Sequence, residues 1–475
     1  MALTKVTNSL LATPPTDYDD SGLQDDIALI GFKVASNGSL AKYDLVDQTI
    51  DAFEDTSGVD ASASTNEERD SSGKYYKGIS SSAVSSTGGT ITTYGDYTIH
   101  KFTADGTYNV AGTVLHDFLI VGGGGGGGTK RGGGGGAGGL VYKTGESVTA
   151  STNYTIDIGA GGSGGVFPGG SGYDSGDNGD DTTAFGYTAL GGGGGGVKTS
   201  APSSGGSGGG GGRSDGVGQL EGGDGNQPTH ASGGFGNKGA MPNNDDGPSN
   251  GGMGGGGAGA VGGTDAGSGS SGGYGGVGKA YTILDGSTSV YYAGGGGGGN
   301  GGTNPGGDGG NGGGGAGGGN GSGTSGSANT GGGGGGAGDG WSGFNGGNGG
   351  SGIVIIKRPT NAVTEGGNMT LVSTTTAAQA APTKGDIVLT YTNGAGSTTL
   401  GTDLTAEISA DGGSTWTAMT LGSEGSTGSH NIATAHDVTI SSTITAPYNM
   451  AYRIKTLNQS ASKTTRIQAV SLGWS

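Results

Sequence analysis

Gly122-Gly123-Gly124-Gly125-Gly126-Gly127-Gly128 follows directly on Asp117-Phe118-Leu119-Ile120-Val121, and this junction decides the fold. A strand ending in four apolar residues runs without a turn into seven residues that have no side chain. Similar runs recur at 191–196 and 294–299, and 102 of the 125 glycines fall between Gly122 and Gly352. Glycine loses more backbone entropy on ordering than any other residue and buries nothing. If such runs are ordered, the backbone itself must be packed and hydrogen-bonded between segments. The conformation that permits this is the polyproline-II helix, which has three residues per turn, no internal hydrogen bonds and a rise of about 3.1 Å. Side-chain-free helices of this kind can lie close together and bond sideways. A collagen triple helix is excluded, because strict Gly-X-Y periodicity is absent and there are only 11 prolines.

Outward from the runs the sequence is β-like. Segments 97–102, 106–110, 117–121, 139–142, 154–158, 281–284 and 289–292 read as short strands between turn residues. Gly352-Ile353-Val354-Ile355-Ile356-Lys357 is the continuous apolar run of a central buried strand. The expected class is mainly β: a jelly-roll-like sandwich bearing polyglycine-II helices over 91–360, and an antiparallel sandwich over 365–475. Strands in the latter are expected at 386–391, 404–409, 436–440, 451–457 and 466–472, where apolar and polar residues alternate.

The N-terminal region, 1–60, reads differently. Leu23, Ile27, Ile30 and Val34 have the spacing of a short coiled-coil seam in a helix over 21–35. Val46, Ile50 and Phe53 fall on one face of a second helix over 44–54. The two stripes read either as a helical hairpin closing its own core or as surfaces for docking and oligomerisation. Residues 61–90, rich in Ser and Thr, read as a linker.

Composition narrows the function. A net charge of −18 repels phosphate backbones and anionic lipid, so neither nucleic acid nor a membrane is an expected partner. No cysteine is present, which removes disulfides, thiolate metal sites and thiol nucleophiles. No signal-peptide pattern precedes Pro14 and no apolar stretch approaches membrane-spanning length. The five histidines are scattered, and no nucleophile, base and orienting group can be assembled, so the expectation is a protein that is not an enzyme and needs no cofactor. Asp174, Asp177, Asp180 and Asp181 form an acidic cluster that reads as a solvated turn or as a weak calcium candidate. Gly273 to Ala280 is a near-miss phosphate-binding loop, created by glycine density.

Ser409-Ala410-Asp411-Gly412-Gly413-Ser414-Thr415-Trp416 matches the hairpin known as an Asp-box, in which Ser409, Asp411, Gly413, Thr415 and Trp416 have structural roles. Trp416, Trp474, Tyr391 and Tyr452 could present a sugar-stacking face or fill the small core. In the glycine-rich region Tyr187, Phe235, Tyr274, Trp341 and Phe344 are candidates for ligand-facing aromatics on loops between rods, or for plugs between the rods themselves.

The segments 102–108, 119–123, 135–141, 158–162 and 349–356, taken in order, resemble the glycine-rich domains of tailed-phage structural proteins. A looser similarity is to the glycine-rich ectodomain of the anaplastic lymphoma kinase family. The stretches 23–29 and 48–55 are similar to the starts of phage fibre proteins. The resemblance implies a virion fibre or adhesin, a homo-oligomer taken as a trimer, attached to other virion proteins through its N-terminus and contacting a host-surface glycan or protein. The alternative is a purely structural head fibre or capsid decoration with no receptor of its own.

Overall fold

The computed structural model describes residues 42–45, 47–167, 169–170, 172–213, 221–227, 234–241, 251–264, 271–301, 304–339, 343–440 and 444–475. The described residues are all β-strand, rod and turn, with no helix among the named elements. The chain divides into two compact units, one made of 83–362 and the other of 1–82 together with 363–475.

In the glycine-rich unit a six-stranded sheet runs in the order Gly234–Phe235, Leu140–Ser147, Leu115–Val121, Ile353–Pro359, Tyr97–Phe102, Thr90–Tyr94. The two apolar runs recognised in the sequence are its antiparallel centre, with Val121 opposite Ile353 and Lys357 opposite Asp117. Both faces are covered, which is why Phe118 to Val121 and Ile353 to Ile356 are apolar at consecutive positions. Phe118, Ile120, Val354 and Ile356 join Tyr108, Val110 and Ile156 in a core beneath the five-stranded sheet Tyr187–Ala189, Thr182–Ala184, Tyr154–Asp157, Gly106–Val110, Ser86–Thr87. Leu119, Val121, Ile353 and Ile355 point the other way, into a second core closed by Ile283, Tyr292, Ala137, Ala258 and Ala293.

Above the sheet stand the glycine rods. The N–H groups of Gly122, Gly125 and Gly128 donate to the carbonyls of Gly139, Gly136 and Gly133; those of Gly123, Gly126 and Thr129 donate to Asp180, Asp177 and Asp174. Gly124 and Gly127 donate to Gly350 and Gly347. The bonding direction therefore repeats every third residue, the signature of a threefold helix. Carbonyls of the same rod accept from three further segments: Gly192 and Gly195, Gly162 and Gly165, Gly334 and Ala337. Rod 122–128 thus has six neighbours, bonded at 2.8–3.0 Å, and it donates to three antiparallel rods and accepts from three parallel ones. None of its glycines has a positive φ.

This packing has no room for a Cβ. One added at Gly124 would collide with the carbonyl of Gly332, at Gly125 with that of Gly193, and at Gly126 with that of Ser163. The obstacles are backbone atoms held by their own hydrogen bonds, so they cannot swing aside as a side chain would. A net hydrogen bond is worth about 1 kcal/mol, while fixing one residue costs about 1–2 kcal/mol. The rods therefore depend on the two apolar cores beneath them.

The second unit is a pair of antiparallel sheets around Ile387, Leu389, Tyr452, Ile454, Leu472 and Trp474. The strands expected at 386–391, 404–409, 436–440, 451–457 and 466–472 lie largely within Lys384–Ala395, Leu404–Ser409, His430–Thr439, Asn449–Thr456 and Thr464–Trp474. Two expectations for the N-terminal region are corrected. Over 44–54 the chain forms no helix: Lys42–Leu45 and Gln48–Asp51 pair as a hairpin turning through Asp47, at φ 59°. A helix of about three turns is marginal alone, whereas Gln48–Asp51 gains a ladder with Thr464–Trp474. Residues 61–90 are not a bare linker, since Glu67–Asp70 and Tyr75–Ala83 are paired strands and Tyr76 belongs to the unit's core. The helix expected over 21–35 lies outside the described residues.

Replacing Gly126 by alanine is expected to lower the stability of the glycine-rich unit by about 1–3 kcal/mol or more. Gly321→Ala, at a site where an added Cβ meets nothing within 4 Å, is expected to leave the melting temperature unchanged. Calorimetry of the two variants makes the comparison; equal tolerance would contradict the close-packed lattice.

Candidate recognition face

The rods alternate in direction, so their turns fall at two ends. At the sheet end, rods continue into strands at Val121, Leu140 and Ile353. At the far end lie the turns 129–131 and 197–202 and residues 166–167, 169–170 and 172–173. Lys130 and Arg131 take positive φ there, of 46° and 56°, which reverses the chain tightly. The Lys130 ammonium lies 5.0 Å from the ring centre of Phe167 and 5.3 Å from that of Tyr173, and bonds to the Gly170 carbonyl. Phe167 is fixed through its N–H to Asn345 Oδ1 at 2.9 Å and by the close approach of its ring to Gly343. Val166 beside it is 61% exposed. Arg131 pairs with Asp339 at 2.9 Å on the same end. Two half-buried rings, a cation and an exposed aliphatic group on rigid supports suit binding, because little ordering entropy remains to be lost.

These residues are not the ones the sequence pointed to. Tyr187 lies in a strand of the sandwich, donating to Glu146 Oε2 at 3.0 Å, and burial raises its phenol pKa. Phe235 pairs with Leu140 under the Lys279 ammonium, 3.9 Å away. Phe344 is half-buried at the start of a rod, and Trp341 lies outside the described residues. Tyr274, 61% exposed, stands on the side of a rod. Of the docking candidates, Ile50 and Phe53 are fully buried in their own unit, Phe53 edge-on to Tyr76 at 4.9 Å, so they are not displayed to a partner. Leu23, Ile27, Ile30, Val34 and Val46 lie outside the described residues. The signal that could have found Phe167 is the Val166-Phe167-Pro168 break in the glycine-rich sequence between the strands Tyr154–Asp157 and Thr182–Ala184.

The acidic cluster is resolved by the rod repeat. Asp174, Asp177 and Asp180 occupy every third position of rod 174–181, which spaces them about 9 Å apart along one edge. Asp174 Oδ2 accepts from Val166 N–H at 2.8 Å and Asp181 Oδ1 from Gly191 N–H at 2.7 Å. These two carboxylates cap backbone, and no metal-holding group forms among the described residues.

In the other unit the Asp-box takes the expected shape. Asp411 Oδ1 and Oδ2 accept from Thr415 N–H and Oγ1–H at 2.8 and 2.6 Å, and Ser409 Oγ accepts from Gly413 N–H at 2.8 Å. These bonds hold the Asp411 carboxyl below its ordinary pKa against the raising effect of burial. Gly413, at φ 91°, lies against the edge of Trp416. One face of Trp416 is covered by the Arg453 guanidinium at 4.3 Å, beside a hollow of about 220 Å³. Trp474, Tyr391 and Tyr452 are buried and fill the core. Glu407, in Leu404–Ser409, is paired with Arg453 and Lys455.

One buried polar network went unread in the sequence. His100 Nδ1 donates to the Gly88 carbonyl at 2.7 Å, so Nε2 accepts from Ser86 Oγ at 2.7 Å. This has the outline of a nucleophile and its base. Arg358, however, donates to the same Oγ through Nε at 2.8 Å and through Nη2, so the oxygen has no lone pair left for attack. The group is a structural tie. His116 Nδ1 donates to the Val114 carbonyl and Nε2 accepts from Tyr108, both at 2.8 Å. Burial, with Arg358 and His100 close by, lowers its pKa to about 4.

Residues 102–359, more than half of the chain, match the family described as a glycine-rich domain, and the chain belongs to that family. No curated protein matches it.

Folded His116 takes up a proton only near pH 4, whereas the unfolded chain does so near its ordinary value of 6.5. The unfolded state binds more protons between these values, so stability is complete above about 6.5 and is lost as pH falls towards 4. Denaturation from pH 7 to pH 4 is expected to show a loss of up to about 3 kcal/mol in the glycine-rich unit. His116→Gln keeps an acceptor for Tyr108 and should flatten that slope; an unchanged slope would place the titration elsewhere.

Proposed function

We propose that this member of the glycine-rich domain family is a non-enzymatic virion fibre or adhesin of a tailed phage, contributing to attachment at the host surface. The observation that carries the reading is the lattice itself. Its rods are joined backbone to backbone, and they carry Lys130, Phe167 and Tyr173 at the end opposite the sheet. A scaffold of this kind suits presentation. The resemblance of 102–108, 119–123 and 349–356 to phage structural proteins supplies the setting, with the N-terminal segment as the attachment to other virion proteins. The ligand class is a host-surface glycan or protein, with Val166, Phe167 and Tyr173 as the contact residues.

Fluorescently labelled protein is expected to bind cells of the host saturably. Phe167→Ala with Tyr173→Ala should weaken binding by roughly tenfold or more, the scale of lost aromatic anchors, without moving the melting temperature. Periodate treatment of the cells abolishes binding if the receptor is a glycan, and protease treatment does so if it is a protein. Absence of any binding would favour a decoration protein with no receptor, and an unaffected double variant would remove the far-end turns from the interface.

A further inference from the structure

An outer rod has N–H groups that point away from its neighbours, and some of these are closed by Asn, Asp and Ser side chains standing alongside. Gly164 N–H is capped by Asn348 Oδ1 at 2.8 Å, Gly191 and Gly194 by Asp181 and Asn178, and Asn345 and Asn348 by the hydroxyls of Ser322 and Ser325. Such capping does for a rod what charges and bulges do for an edge strand: it stops another chain from adding on.

Rod 271–278 is built the opposite way. Gly272, Gly275 and Gly278 donate to Pro305, Asp308 and Asn311, and Gly273 and Gly276 donate to Gly252 and Gly255. The third direction belongs to Tyr274 and Val277, and among the described residues their N–H groups have no partner, nor has that of Val261 on the adjoining rod. The same three residues are exposed, by 61%, 40% and 58%. No side chain among the described residues caps the backbone of 259–264 or 271–278. Neither stretch contains a charge, in a chain of net −18.

We infer that this open edge is an interface between copies of the chain. A row of donors about 9 Å apart matches the carbonyl row of another polyglycine-II rod, and this chain carries such rods. The apolar Tyr274, Val277 and Val261 would be covered by the same approach. Charge favours a second copy here over the capped rods, because like-charged molecules meet most readily where neither is charged. The inference is independent of host attachment, since an edge can pair whether or not a receptor exists.

Sedimentation equilibrium of the full chain is expected to show reversible association. Tyr274→Asp with Val277→Asp should weaken it by roughly tenfold or more with an unchanged melting temperature. Hydrogen exchange on the unmodified protein gives a second reading that needs no variant: the amides of Tyr274 and Val277 should become protected as concentration rises. A chain that stays monomeric, a double variant that associates as before, or an oligomer in which those two amides still exchange fast would each overturn the inference.

Discussion

The rest of the structure depends on one steric condition, the distance at which two peptide backbones can lie when neither carries a Cβ. At Gly124, Gly125 and Gly126 the space a methyl group would fill is already taken by carbonyl oxygens of neighbouring rods. Those oxygens are close because they are hydrogen-bond acceptors within the same lattice. Packing and polar satisfaction are thus one interaction here, where in an ordinary core they are separate. This is why a unit with so little apolar material can still exclude water from its interior.

The lattice does not stand alone. Rod 122–128 runs on from the six-stranded sheet and rod 132–139 runs into it, and the alternation along Leu115–Val121 and Ile353–Pro359 feeds two cores at once. Ala137, Ala258 and Ala293 are found where rods meet the upper core, the level at which a methyl group has an apolar neighbour instead of a carbonyl. The transition from glycine to alanine to leucine at Gly136-Ala137-Gly138-Gly139-Leu140 follows this change of surroundings along a single rod.

Much of this was legible in the sequence. The strands at 97–102 and 106–110 were readable because apolar residues alternate there, and the rods because nothing else satisfies seven consecutive glycines. What could not be read needs pairing between distant residues. Gln48–Asp51 is a strand only because Thr464–Trp474 lies beside it, and the helical spacing of Val46, Ile50 and Phe53 outweighs that signal locally. The Asp174, Asp177, Asp180 repeat suggested a cation because its period of three was not connected with the rod that produces it. The site fared worse than the fold. Tyr187, Phe235 and Tyr173 each follow a glycine and Phe167 lies two residues from one on either side, so only the alternating direction of the rods tells which pair stands at the end opposite the sheet. The Ser86, His100 and Arg358 tie joins residues from three separate strands and has no local pattern at all.

Residue-resolved hydrogen exchange of the glycine amides tests the central claim most directly. If the rods are a bonded lattice, the amides at 122–128 and 132–139 exchange as slowly as those of Leu119 and Ile355 in the central strands, and only through unfolding of the whole unit. Exchange at those glycines near the rate of an unstructured peptide, with the strands still protected, would contradict it.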